Sequence, residues 1–391
     1  IVVESSLRPY ANLTVSNITL EPSAGWQAGD PFEISWTTNN VGIAAATGTW
    51  VERVDVVNLT TGIIVATYEL TASEQNLLSE GSVARTAALS WPTGINATGK
   101  FRLRVTVDAN SQIPEYGATG PLEADNTQVI EVVSGPDLVI QNATVLSSEI
   151  QAGSRVEIHW DDVNAGTVAT PRSWQDRIVV TRRNADGTQG EKIVDTLISF
   201  PEDFERPLAA GAIRPRSFSF ILPEGLRGAG EFDISINIDS GGTYSAGVIF
   251  EIRPGIDAES NNQVAISAHA EPKLYPDLSV GNLVTPASIF SGVPFDLQWT
   301  VTNTGNAVAT GSWIDKIILS SDDVSGNADD IVLGSVIHKN GLLINQSYSA
   351  QLSVRTPTRI EGNYRIIVIA DTAHSVVEPD TLGNNQVLSV P

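Results

Sequence analysis

The chain has 391 residues, 23 Lys+Arg against 45 Asp+Glu, a formal net charge of -22 and 41% hydrophobic residues. That charge excludes recognition of nucleic acid or an anionic membrane through a basic face, and the apolar fraction excludes global disorder. With no Cys and four scattered His (His159, His269, His338, His374), the chain has no disulfides or thiolate sites and almost nothing from which to build a His-based centre.

At about 100 to 200 residues per domain the length suggests two to four domains. No apolar run approaches the ~18 residues of a spanning helix, so no membrane insertion is expected, and the N-terminus does not read as a signal peptide. Ile1-Val2-Val3 reads as the closing strand of a preceding unit, so residues 1–9 are expected to be the tail of such a unit and the chain a piece of a longer array.

The first set of strands is expected near 11–20, 31–38, 50–58, 63–70, 83–91, 99–107 and 128–133. Apolar and polar residues alternate there, as in Phe32, Ile34, Trp36 against Glu33, Ser35, Thr37. No segment has the pattern of an amphipathic helix. The same signals then recur twice. Ala11-Asn12-Leu13 corresponds to Pro136-Asp137-Leu138 and Pro276-Asp277-Leu278. Gly29, Gly153 and Gly292 each precede a Trp by seven residues (Trp36, Trp160, Trp299), and a second Trp follows fourteen later (Trp50, Trp174, Trp313). An Asn-x-Gly lies between the two Trp residues. An acid and a base follow the second: Glu52-Arg53, Asp176-Arg177 and Asp315-Lys316. Late in each copy a Gly-x-aromatic opens a run ending in Asp108, Asp239 or Asp371, and each copy closes on Asp125-Asn126, Asn261-Asn262 or Asn384-Asn385.

A period of roughly 130 residues is a whole domain, since solenoid repeats run to about 20–50. The expected architecture is all-β: three tandem Ig-like β-sandwiches of about seven strands, over 1–134, 135–275 and 276–391. Both recurring Trp residues lie on apolar strand faces and are expected in the core, and Trp26 with them; Trp91 ends a strand before Pro92. Tyr116 and Tyr244 fall in loops and are the candidate exposed aromatics.

These anchors, taken together, resemble the CARDB family (cell adhesion related domain found in bacteria). The third copy is closest, with Asp277-Leu278, Asn303-Thr304-Gly305, Trp313-Ile314-Asp315-Lys316, Gly362-Asn363-Tyr364, Asp371, Glu378 and Asn384-Asn385. Ser320 to Gly334 and Leu342 to Tyr348 look like the form found in large secreted calcium-dependent bacterial adhesins. The first copy departs with Ala11-Asn12 and a single Asn126. The second has 22 residues between Asp239 and Asn262, against 13 between Asp371 and Asn385, and its Glu259 sits just before the Asn pair. The resemblance implies an extracellular Ig-like module without catalysis, a spacer or adhesion element of a bacterial surface protein.

Acidic residues gather between the last two strands of each copy. They are Asp108, Glu115, Asp125 and Asn126; Asp239, Asp257, Glu259 and Asn262; and Asp371, Glu378, Asp380 and Asn385. Calcium takes six to eight oxygens from carboxylates, amides, carbonyls and water, which such loops supply; zinc or copper would want His or Cys. A second candidate is the alternation Asp323, Ser325, Asn327, Asp329, although its Gly falls at the fourth place and no Glu follows at the twelfth. The alternative for the acidic clusters is a solvated loop, and for the alternating stretch a polar hairpin turn. Six N-x-[ST] sequons, at Asn12, Asn17, Asn58, Asn96, Asn142 and Asn345, are near what this composition gives by chance.

The expected function is a structural and adhesive segment of a secreted or cell-surface bacterial protein, stiffened by calcium at its junctions. Its partners would be neighbouring repeats and a cell-surface or matrix ligand, protein or glycan. The loop between the last two strands is expected at the pole where the first strand begins, so that Glu378 and its neighbours face Pro276-Asp277. The alternatives are a carbohydrate-binding accessory region of a secreted enzyme, which predicts a row of exposed aromatics, and an enzyme, which would need an acid, base and nucleophile set that no copy presents.

Overall fold

The structure, a computed structural model, describes residues 3, 6, 8–147, 149–200, 206–240, 247–253 and 257–389, excepting the side chains of 72–75 and 95. Ile1, Val2 and Tyr244 therefore lie outside the described residues.

Among the described residues the regular structure is strand, apart from short 3-10 segments, and turns and loops join the strands. In the first copy β1 (Leu13–Glu21), β2 (Pro31–Asn40) and β5 (Ser82–Ser90) form a sheet in the order β1-β2-β5. The facing sheet has the order β4-β3-β6-β9, from β3 (Ala46–Asn58), β4 (Ile63–Leu77), β6 (Gly99–Thr106) and β9 (Thr127–Ser134). A small ribbon, β7 (Tyr116–Gly117) and β8 (Gly120–Pro121), rises from the loop after β6.

The second copy repeats the arrangement. Its three-stranded sheet is β10 (Leu138–Val145), β11 (Arg155–Asn164) and β14 (Ile213–Ile221). Its four-stranded sheet orders β13 (Gln189–Ser199), β12 (Gln175–Arg183), β15 (Gly230–Asn237) and β16 (Gln263–Ala270). The third copy pairs β17 (Leu278–Val284), β18 (Pro294–Asn303) and β21 (Ser347–Arg355). Its second sheet orders β20 (Ile331–His338), β19 (Trp313–Ser320), β22 (Arg365–Ile369) and β23 (Gln386–Leu388).

Each pair of sheets closes on its own apolar residues, in the second copy divided between a main cluster around Trp160 and a smaller one around Leu138 and Trp174, because the inward residues of the strands are the apolar half of the alternation. Both recurring Trp residues of each copy are buried, as are Trp26 and Trp91, whose rings stack at 4.6 Å. Their indoles explain the acid that follows the second Trp. Trp36 and Trp50 donate to the two oxygens of Glu52 at 2.6 and 3.0 Å. Trp160 donates to Asp176 and Asp162, and Trp299 donates to Asp315 at 2.9 Å. The next residue points outward by strand alternation, and there Arg53 pairs with Glu69 and Arg177 with Asp195. A buried carboxylate is tolerated only with such partners. Arg85 serves Glu52 and Arg216 serves Asp162. In the third copy the Tyr348 hydroxyl donates to Asp315, whose pKa burial raises.

The first strand of each copy carries the same defect. Asn17, Asn142 and Asn282 adopt positive φ (53°, 53° and 49°), and the pairing register slips there between Ser16 and Thr19, Gln141 and Thr144, and Gly281 and Val284. These are β-bulges on an edge strand, built on a residue type that tolerates the left-handed region.

Candidate cation site

The acidic loops have a shared construction. The Asp two residues beyond the sixth strand of each copy turns into the left-handed region, with φ 47° at Asp108, 51° at Asp239 and 47° at Asp371. Its carboxylate then caps the loop it begins. Asp108 accepts from the amides of Gln112 and Ile113, both at 2.7 Å. Asp239 accepts from Val248 and Ile249, and Asp371 from Ser375 and Val376. These three are shape-setting residues with their lone pairs turned to the backbone.

Beyond the cap comes a buried Glu. Glu115 Oε1 accepts the amide of Leu13 at 2.8 Å, and Glu378 accepts that of Leu278. In the second copy this place belongs to Glu251, which accepts from Leu138 at 2.5 Å and from Asn262 Nδ2 at 3.1 Å. The sequence pointed instead to Glu259, which accepts from Asn262 at 3.0 Å and is only half-buried. The longer loop of this copy displaced the Glu from the spacing seen in the other two. Asp257 is exposed and accepts the amide of Glu259.

The third component is the Asn that follows the 3-10 turn. Asn385 donates to Glu378 at 2.6 Å and returns its carbonyl to Ala370; the carbonyls of Asn126 and Asn262 do the same for Val107 and Ile238. The fourth is a pair at the entrance to the first strand. Asp137 accepts from Asn261 at 3.0 Å and Asp277 from Asn384 at 2.8 Å. In the first copy Asn12 donates to Asp125 at 3.1 Å. The loop between the last two strands thus lies against the start of the first, as expected.

After these bonds are counted, an oxygen is left over at nearly every member. Buried without a protein partner are Asn12 Oδ1, Glu115 Oε2 and Asn126 Oδ1, then Asn261 and Asn262 Oδ1, then Asn384 and Asn385 Oδ1. Buried polar atoms are rarely left so. Burial pushes Glu115 up to about 7 and Glu251 up to about 8, the nearby carboxylates adding to the rise; Glu259, closer to the surface, goes to about 7 by the same causes. Burial also raises Glu378, with Asp277 and Asp371 adding. Oxygen-only, anionic and under-satisfied, this donor set suits a hard cation. Among the described residues no three carboxylate or imidazole side chains group together, so such a cation would draw on amide and carbonyl oxygens as well. In the second copy Arg253 already stands 3.8 Å from Asp137.

Other expected members face elsewhere. Asp380 is turned toward the second copy, where it accepts the amide of Leu226 at 2.9 Å. Beside it the Tyr275 hydroxyl donates to Glu224 and accepts from Gly225, and Lys273 pairs with Glu224. In the hairpin after β19, Asp329 accepts from Ser320 and Ser321, Asp323 pairs with Arg365, and Asn327 donates to Asp322. Those three side chains already have protein partners and make a hydrogen-bonded turn. Tyr116 is 46% exposed and packs on Tyr10 at 5.1 Å between ring centres.

Residues 275–389 match the CARDB family. No curated protein matches the chain in sequence. Among solved structures the chain is similar to red sea bream transglutaminase, at 11% identity over 68% of this chain and 32% of that one, with a TM-score of 0.32. It therefore spans about a third of that enzyme's length. It is also similar to the CARDB domain of the PF1109 protein from Pyrococcus furiosus, solved in complex with di-metal ions, at 19% identity over 33% of this chain and 93% of that one, with a TM-score of 0.22. No helix among the described residues is long and apolar enough to cross a membrane.

Proposed function

We propose that the chain is a non-catalytic structural and adhesive segment of a bacterial extracellular surface protein. It is read as three β-sandwiches over 1–134, 135–275 and 276–391, each locked by calcium where its last loop meets its first strand. The observation that carries this reading is the threefold recurrence of buried oxygens without partners beside a buried Glu. In the first copy Glu115, Asn12, Asp125 and Asn126 would hold the ion, in the second Glu251, Asn261 and Asn262, and in the third Glu378, Asp277, Asn384 and Asn385. The ion would supply positive charge to carboxylates that otherwise oppose one another, tying the last loop to the first strand. The CARDB match over the third copy supports the adhesive reading, and the burial of all eight Trp residues argues against a sugar-stacking platform.

Calcium should raise the melting temperature by linkage, and magnesium should substitute poorly because it demands tighter octahedral geometry. Identical melting in calcium and in chelator would remove the cation from this reading.

A further inference from the structure

Tyr10 and Tyr275 hold the same place at the entrance to the first and third copies. The Tyr10 carbonyl accepts the amides of Ile43 and Ala44, both at 3.0 Å, and the Tyr275 carbonyl accepts those of Asn306 and Ala307 at 3.0 and 3.1 Å. Two residues before each Tyr a cation lies over the ring: the Arg8 guanidinium is 4.7 Å from the Tyr10 centre, and the Lys273 ammonium 5.3 Å from that of Tyr275. In the second copy the matching carbonyl, which accepts from Thr167 and Val168, belongs to Gly135 and brings no ring.

At the third copy this cation and ring are already engaged. They hold the turn Pro223-Glu224-Gly225-Leu226 at the far end of the second copy. The Tyr275 hydroxyl donates to Glu224 and accepts the Gly225 amide at 3.0 Å, and Lys273 pairs with Glu224 at 3.1 Å. Asp380 adds a bond from the Leu226 amide. Gly225 has a φ of 73°, and a Cβ there would stand 2.5 Å from the Asp380 carboxylate, so the turn needs its glycine. At the first copy the same pair faces outward. Arg8 is exposed, Tyr10 is half-buried, and the 46% exposed Tyr116 widens the aromatic surface by packing on Tyr10. Gly117 stands two residues past Glu115, as Asp380 stands past Glu378, so the added carboxylate is missing there.

We propose that Arg8, Tyr10 and Tyr116 form a docking face for the end of another β-sandwich, one whose turn carries a Glu-Gly pair as Pro223 to Leu226 does. The occupant is argued from the third copy, where such a turn is seated on the corresponding tyrosine and cation. The partner's carboxylate would meet the Arg8 guanidinium and the Tyr10 hydroxyl, and its Gly amide would donate to that hydroxyl. The face does not depend on a cation at any pole. The equivalent turn of the third copy, Pro357-Thr358-Arg359, has a φ of 67° at Arg359 but carries no acid, so the chain as it stands does not supply the partner at that end.

The test uses the whole chain with Thr358→Glu and Arg359→Gly, which gives that last turn the missing pair. Glycine suits the positive φ at 359, so folding is not put at risk. In the third copy Arg355 pairs with Pro294 and Leu278 with Asn303, which sets the turn and the entrance at opposite ends of β18. Docking of the new turn on the Arg8 and Tyr10 face of a second molecule would therefore run head to tail. Sedimentation velocity up to about 1 mM should show self-association roughly tenfold or more stronger than in the parent. Adding Tyr10→Phe, which keeps the ring and removes the hydroxyl, should weaken it several-fold, and adding Arg8→Glu should abolish it. No association beyond the parent's would overturn the proposal. Association that survives both Tyr10→Phe and Arg8→Glu would place the contact elsewhere and overturn it as well.

Discussion

Asn12 donates its amide to Asp125, whereas Asp277 accepts the amide of Asn384. The two ends of the same hydrogen bond have been exchanged between copies, which leaves one carboxylate and one amide at each entrance. Asn12→Asp alone would set two carboxylates against each other and cost about 1–3 kcal/mol by loss of the bond and repulsion. Asn12→Asp with Asp125→Asn should recover most of that loss. Melting in chelator measures both, and a double variant no better than the single would show that the exchange is accidental.

Trp299→Ala should cost roughly 3–5 kcal/mol, the range for a fully buried large aromatic. The substitution also takes an indole donor from Asp315, which keeps only Tyr348. Denaturant unfolding should show a shifted midpoint; near-parental stability would mean the site collapses without the ring.

Asp371→Ala should destabilise the chain by about 1–3 kcal/mol, because the amides of Ser375 and Val376 lose their acceptor. The loss should be the same with and without calcium, since the Asp371 oxygens are already used by the backbone. A loss confined to calcium-loaded protein would instead make Asp371 a ligand.

Burial raises Glu115 from 4.5 to about 7 and Glu251 from 4.5 to about 8. The folded chain therefore binds these protons more tightly than the unfolded one. Their contribution to stability is full below about 4.5 and is lost as pH rises through 7 to 8. In chelator the melting temperature should fall between pH 5 and about 8.5. A chelated protein that grows more stable over that window would contradict the burial of these carboxyls.

Strand positions, both Trp layers and the pole of the last loop could be read from the sequence, because alternation and spacing are local signals. Trp36 and Glu52 show the limit. The acid was visible as half of an acid-base pair, but which way it faced depended on the strand to which Trp36 belonged. Glu251 was missed because the spacing rule fails where a loop lengthens, and only the approach of Leu138 to that loop identifies it. The bulges at Asn17, Asn142 and Asn282 were likewise hidden, since nothing short of a φ value separates a bulged Asn from a paired one. Proximity in sequence groups Asp380 with Glu378, yet Asp380 accepts from Leu226 and Glu378 from Leu278.

The first strand lies at the margin of its sheet in every copy, and all three copies carry nearly the same pattern. A nascent chain of look-alike neighbours risks joining a strand of one to the open margin of another, the characteristic error of arrays of similar domains. The left-handed Asn midway along β1, β10 and β17 interrupts that margin before a foreign strand could run its full length along it. Replacing Asn17, Asn142 and Asn282 with Val would leave smoother margins, and the outcome should be seen in refolding yield at high concentration more than in the equilibrium stability of the finished chain.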